Sequence, residues 1–290
     1  MRSQRLWRNA TLAPALILFL LLTLVPMLNL LALSFHDVSW IDRSISWTWV
    51  GLRNYARLAG DTLFRAGIGN TIVFAVLAVA FQMLLGFALA LLTTRITRGR
   101  IFYRTVFILP ILVPGIIIGA IWKLMYSYDF GVINQGLMAL GLTPQDWLGN
   151  GRLALPSVIA VDVWHWTPFC YLLLLASLET LPADIYEAAE IDGASGWQQL
   201  RYITLPLMLP ALVVVFVFRM ILAFKVFDEV YLLTGGGPGT ATEVISFTIY
   251  RRFFTEDQTG YGSAMSVATI AVIAALIIAA SRLTLRKERA

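Results

Sequence analysis

Six stretches of this 290-residue chain are apolar enough to cross a bilayer: Leu12–Ser34, Gly67–Thr93, Val106–Tyr126, Leu155–Leu181, Leu207–Leu233 and Ser263–Ser281. A helical span needs roughly 20 mostly apolar residues, because the hydrocarbon core is about 30 Å thick. Polar residues interrupt two of the six. The fourth contains Asp162 and His165, and the fifth carries Arg219 and Lys225, with Asp228 and Glu229 near its end. Arg2, Arg5 and Arg8 precede the first stretch as they would a signal peptide. That stretch exceeds the roughly 7–15 residues of a signal h-region, and no Ala-x-Ala pattern follows it. The pattern predicts an all-α polytopic membrane protein with six transmembrane helices. Residues 1–66 form the N-terminal tail, first helix and outer loop, and residues 67–290 form a five-helix core.

Composition agrees. Hydrophobic residues make up 59% and charged residues 13%, against about 45–50% and 25% in soluble domains. The mean hydropathy is +0.76. These values exclude a soluble enzyme, a disordered chain and a disulfide scaffold. The net charge of +5 does not point to nucleic acid, because the basic residues sit in short segments between apolar runs. Arg2, Arg5 and Arg8, then Arg95, Arg98, Arg100 and Arg104, then Arg282, Arg286, Lys287 and Arg289 all fall on one side of a six-span chain. The positive-inside rule makes that side, and both termini, cytoplasmic. The outer loops carry thinner charge (Arg43, Arg53, Arg57, Arg65) and the tryptophans Trp40, Trp47, Trp49 and Trp147, which suit the headgroup zone. The single cysteine, Cys170, lies in an apolar run and reads as a small buried hydrophobe.

One inner loop breaks the basic pattern. Residues 182–206 hold Asp184, Glu187, Glu190 and Asp192 but only Arg201 as a base. The spacing predicts helix, turn, helix. Asp184 is the expected N-cap with Glu187 as its capping-box partner, and Ala188 and Ala189 favour helix. Gly193 stands where a C-terminal cap needs positive φ. Ser195 caps a second short helix that ends before Pro206. Interfacial amphipathic helices are usually Lys/Arg-rich on their polar face. This acidic and apolar knob instead suits docking into a cleft on another protein.

Glu187-Ala188-Ala189, Asp192-Gly193-Ala194 and Ile203-Thr204-Leu205-Pro206 resemble the EAA loop of permease subunits in bacterial ABC importers. Phe224-Lys225-Val226-Phe227-Asp228, Tyr231, Leu233-Thr234-Gly235-Gly236-Gly237-Pro238 and Thr242 are similar to carbohydrate-importer permeases of the maltose-permease F type. The resemblance covers roughly Gly67 to the C-terminus. It implies a multi-pass protein of the bacterial cytoplasmic (inner) membrane that forms half of a pore with a second permease subunit. It also implies two ATPase subunits, which carry ATP and Mg, and a periplasmic or lipid-anchored sugar-binding protein that releases carbohydrate into the pore. Glu187 matches the glutamate that contacts the ATPase cleft, and Gly193 the turn glycine. Beside a basic residue in a half-buried cleft, such a glutamate is worth about 1.5–3 kcal/mol.

The chain itself has no motor motif. Its lysines, Lys123, Lys225 and Lys287, do not follow glycines, so no P-loop exists. Two histidines, His36 and His165, make no zinc motif, and no catalytic constellation assembles. Gly235 to Gly239 reads as a flexible turn or gate segment on the outer side. Ionisable groups inside spans face the protein interior or a watery cavity. Asp162 and His165 lie three apart on one helix face, with Trp164 and Trp166 beside them. They suit either a sugar site or a packed polar contact between helices. Arg219 and Lys225 suit the pathway wall or an anionic sugar derivative. Lys225 and Asp228 have the spacing of a pair, and Asp228 falls in the family block. Pro110 and Pro114 predict a kink in the third span. The alternative to the importer is a secondary solute transporter or channel acting without an ATPase. Such proteins often show repeated halves, which this chain lacks.

Overall fold

The structure is a computed structural model that describes residues 2–41, 44–96 and 98–287. Arg43 and Arg289, used above for orientation, lie outside the described residues. In chain order the elements are α1 (Arg2–Ser34), β1 (His36–Ile41), β2 (Ser44–Trp49), α2 (Arg53–Leu58), α3 (Thr62–Arg95), α4 (Arg100–Ile108), α5 (Gly115–Met125) and α6 (Val132–Ala139). Then come α7 (Ala154–Leu178), α8 (Ala183–Ile191), α9 (Gly196–Gln199), α10 (Leu205–Ala223), α11 (Asp228–Leu233), α12 (Ile245–Tyr250) and α13 (Thr259–Lys287). Two compact units are present, residues 1–64 with 248–274 and residues 65–247 with 275–290.

In the first unit, no residue from Leu12 to Leu33 of α1 is buried, as a lipid-facing span requires. The chain then departs from an all-helical pattern. β1 and β2 pair antiparallel with His36 opposite Trp49 and Val38 opposite Trp47. The strand signal was present in Ser44-Ile45-Ser46-Trp47-Thr48-Trp49, where β-branched and aromatic residues alternate with small polar ones. Asp61 starts α3 by accepting the backbone N–H groups of Leu63 (2.8 Å) and Phe64 (3.0 Å). Its other oxygen receives the Tyr261 hydroxyl (2.8 Å) and Arg252 (3.3 Å). Leu58, Tyr261 and Met265 form the small core of this unit.

In the second unit, α3 and α7 approach closely at Gly86, where a Cβ would stand 2.7 Å from the Cys170 Cβ. Ala90, Cys170, Tyr171, Leu174, Met208 and Val215 form the core beside that contact. The third span is not one helix. α4 continues as a 3₁₀ turn over Leu109–Leu112, and α5 starts after Pro114 at 94° to it. Pro114 lacks an N–H and disfavours helix in Val113, which is extended (ψ 126°). The fifth span is also broken. α10 stops at Ala223, four residues run irregularly, and α11 begins at Asp228. The Ser246 hydroxyl donates to the Val226 carbonyl freed by that break. Among the described residues four helices are long and apolar enough to cross a membrane, or five when the bent pair counts as one span. The sixth expected span lies within α13, whose apolar part is Thr259–Ala275.

Candidate functional site

The loop after α7 folds into the expected knob, with two corrections. α8 takes Pro182, not Asp184, as its N-cap, and no side chain caps it. Pro182 is extended (φ −63°, ψ 130°), so the helix begins two residues earlier than the capping-box reading placed it. Asp184 lies inside the first turn, where its charge complements the helix dipole. The second helix does not end before Pro206. It widens into a π-turn over Leu200–Thr204 and runs on as α10. A prolyl nitrogen donates no bond, and a π-turn absorbs the mismatch without stopping the helix.

The turn itself is as the residues require. Gly193 has φ +77°. Its N–H donates to the Glu190 carbonyl (3.0 Å), and the Ala194 N–H donates to the Ala189 carbonyl (2.9 Å). These two bonds make a Schellman cap. Ser195 and Gln198 cap α9 reciprocally. Tyr186 and Thr204 share a hydroxyl–hydroxyl bond of 3.0 Å, which ties α8 to the π-turn at the foot of α10. Ala189 is buried, whereas Glu187, Ala188, Asp192, Leu205 and Pro206 are exposed and Ala194 is half-buried. Ile191 (87% exposed), Trp197 (66%) and Tyr202 (69%) are large apolar side chains that nothing among the described residues covers. At the neck of the knob, Arg100 and Arg104 both donate to Glu179.

The polar residues of the spans fall into two sets. Arg219, 1% exposed, is enclosed. Its Nε donates to Gln82 Oε1 (2.8 Å), an NH2 group reaches Asp162 Oδ2 (3.2 Å), and its guanidinium lies 4.7 Å from the Trp166 ring centre. Gln82 Nε2 donates to Asp162 Oδ2 (2.7 Å) and to the Asp162 carbonyl (3.0 Å). One turn along α7, His165 Nδ1 lies 3.3 Å from Glu229 Oε1. The geometry of Asp162 and His165 is that of packed polar contacts between helices. Arg219, expected on the pathway wall, is shut inside the same contacts.

Lys225, Asp228 and Trp164 form the other set. All three are exposed. Lys225 and Asp228 do not pair with each other among the described ion pairs, because the helix break separates them. Trp164 meets Trp122 edge-on (5.6 Å). It borders an apolar cleft of about 750 Å³ between Leu77 and Phe81 of α3, Val106 and Phe107 of α4, and α7. Sequence reasoning missed Gln82 as a partner and left Glu229 without a role. An amide inside an otherwise apolar run was the available signal. The glycine-rich loop after α11 is bonded throughout. The Thr242 hydroxyl donates to the Gly237 carbonyl (2.7 Å), and Asn70 Nδ2 donates to the carbonyls of Thr240 (2.8 Å) and Glu243 (2.9 Å).

Apolar helices with enclosed charges and a protruding helix–turn–helix knob define a multi-pass membrane protein. The family model for the binding-protein-dependent transport system inner membrane component matches residues 82–288, and the chain belongs to that family. It is 39% identical to the trehalose/maltose transport system permease protein MalF of Thermococcus litoralis, over 91% of this chain and 89% of that one. It is 32% identical to the sulfoquinovosyl glycerol transport system permease protein SmoG of Agrobacterium fabrum, over 92% and 87%. A crystal structure of a bacterial alginate ABC transporter, in complex with an alginate pentasaccharide-bound periplasmic protein, contains a chain with TM-score 0.86 and 25% identity. That likeness covers 98% of this chain and 96% of that one. The chain is therefore a permease subunit of a binding-protein-dependent ABC transport system and not an independent secondary transporter or channel.

Proposed function

We propose that this chain forms half of the pore of an ATP-driven, binding-protein-dependent sugar importer, and that residues 182–206 couple ATPase closure to pore opening. The observation that carries the reading is the knob. Its turn is capped and tied to α10 through Tyr186 and Thr204, yet it leaves Ile191, Trp197 and Tyr202 uncovered among acidic residues. A rigid, apolar and acidic protrusion gains free energy by entering a cleft on a partner. In this reading the bent α4–α5 pair is the third of six spans, α13 the sixth, and both termini are cytoplasmic. ATP and Mg belong to the two ATPase subunits. Charged side chains at bilayer depth avoid lipid, so the exposed Lys225 and Asp228 face the pathway or the second permease subunit, and Trp164 offers a flat ring to a sugar. Periplasmic or lipid-anchored binding protein delivers the carbohydrate.

The test is reconstitution in proteoliposomes with the second permease and the ATPase subunits. The expected result is ATP hydrolysis stimulated by sugar-loaded binding protein and accompanied by sugar uptake. Solute flux through this chain in liposomes lacking the ATPase would overturn the proposal.

A further inference from the structure

Asp162 and His165 sit one turn apart on α7, about 4.5 Å along its axis. Their partners, Arg219 and Glu229, lie on opposite sides of the break at residues 224–227. In an unbroken helix those partners would be about 15 Å apart along the axis. They reach α7 within one turn of each other because the chain leaves the helix between them. An uninterrupted α7 therefore grips the segments before and after the break through two polar contacts, one turn apart. Gln82 closes the first contact from α3. Its oxygen accepts from Arg219 and its nitrogen donates to Asp162, so three helices meet in one closed triangle. Trp166 covers the face of the guanidinium. Between the two grips stand the exposed Lys225 and Asp228.

We infer that Gln82, Asp162 and Arg219, with the His165–Glu229 pair, are positioning residues for transport. They fix the register of the broken helix, and thereby where Lys225 and Asp228 stand on the pathway face. The inference rests on the importer reading above and adds a division of labour to it. The enclosed charges stay clear of the sugar, and the exposed ones are set in place by them. Stability alone is a poor reason for such a cluster, because well-packed apolar side chains of similar volume often replace buried ion pairs without loss. Removing one partner, by contrast, strands a buried charge.

That asymmetry supplies the experiment, run on the full reconstituted transporter. The wild-type complex is the control. If sugar-loaded binding protein fails to stimulate its ATPase, the importer reading falls, whatever the variants do. The apolar triple variant Gln82→Met, Asp162→Leu, Arg219→Met is expected to assemble and hydrolyse ATP. Its uptake Vmax is expected to fall about tenfold or more, with the KM for binding protein unchanged, the signature of a lost turnover step with intact docking. Wild-type uptake by that variant would overturn the inference. A second arm holds even where the triple variant does not assemble. Asp162→Asn alone is expected to lose uptake, and adding Gln82→Glu returns a carboxylate to the triangle from α3. Recovery to within about threefold of wild type supports register control by the charge. An Asp162→Asn, Gln82→Glu protein that assembles fully and transports no better than the single variant would refute it.

Discussion

Replacing Gly193 offers a graded perturbation of the coupling turn. Its φ of +77° is a region that L side chains rarely enter, but among the described residues no atom beyond its two chain neighbours lies within 4 Å of the position a Cβ would take. A substitution there meets no steric obstacle, and its cost is conformational. For alanine that cost is about 1–2 kcal/mol, a factor of about 5–30 between docking-competent and misfolded turns. Asparagine tolerates left-handed backbone better and costs less. Valine costs more, because β-branched residues are true outliers at positive φ. Proline is worst. Its ring fixes φ near about −65° and removes the N–H that Gly193 donates to Glu190 at 3.0 Å. Uptake, normalised to the amount of protein in the membrane, should therefore fall in the order Gly, Asn, Ala, Val, Pro. The strain is confined to an exposed loop, so the detergent-solubilised subunit should unfold at nearly the wild-type temperature throughout. Titrating purified ATPase subunits onto each variant separates weakened docking from blocked turnover. Equal uptake across the series, or a Gly193→Pro protein that still couples hydrolysis to uptake, would end the coupling-turn assignment.

Two further outcomes follow from close contacts and from charge. At Gly119 a new Cβ would lie 2.8 Å from the Leu232 Cβ, so Gly119→Ala should destabilise the α5–α11 contact by about 1–3 kcal/mol. Adding Leu232→Gly, which removes that Cβ, should recover part of the lost thermal stability, and a double variant no better than Leu232→Gly combined additively with the single loss would exclude this packing. Burial opposes ionisation of Asp61, but the Phe64 N–H, the Tyr261 hydroxyl, the Arg252 guanidinium and the Leu63 N–H together hold its carboxyl below the ordinary value of 3.8. A group held low when folded stabilises the protein above its ordinary value and loses that contribution as pH falls through the lower one. Thermal stability should thus decline below about pH 4, and Asp61→Asn should flatten that decline while lowering stability at neutral pH. An unchanged acid limb in the variant would remove Asp61 from the account.

Much of this molecule could be read along the chain. Spans follow from apolar length alone, since lipid tolerates only helices with their backbone bonds closed, and Leu12–Ser34 fits that rule without help from any neighbour. Gly193 and the Ser195–Gln198 cap were equally legible, because caps and left-handed turns depend on residues within a few positions of one another. The strand pair was legible in principle from the alternation at residues 44–49, but its neighbouring apolar span outweighed it. What could not be read were the dealings between distant positions. Nothing in the apolar run of α3 says that Gln82 will meet residues 80 and 137 positions away. The placement of Asp162 and Arg219 inside the protein, with Lys225 and Asp228 outside, likewise depends on which helix faces meet. Burial is a property of neighbours in space. Four charged residues that look alike in an apolar run therefore acquire opposite surroundings only when the helices pack and one of them breaks.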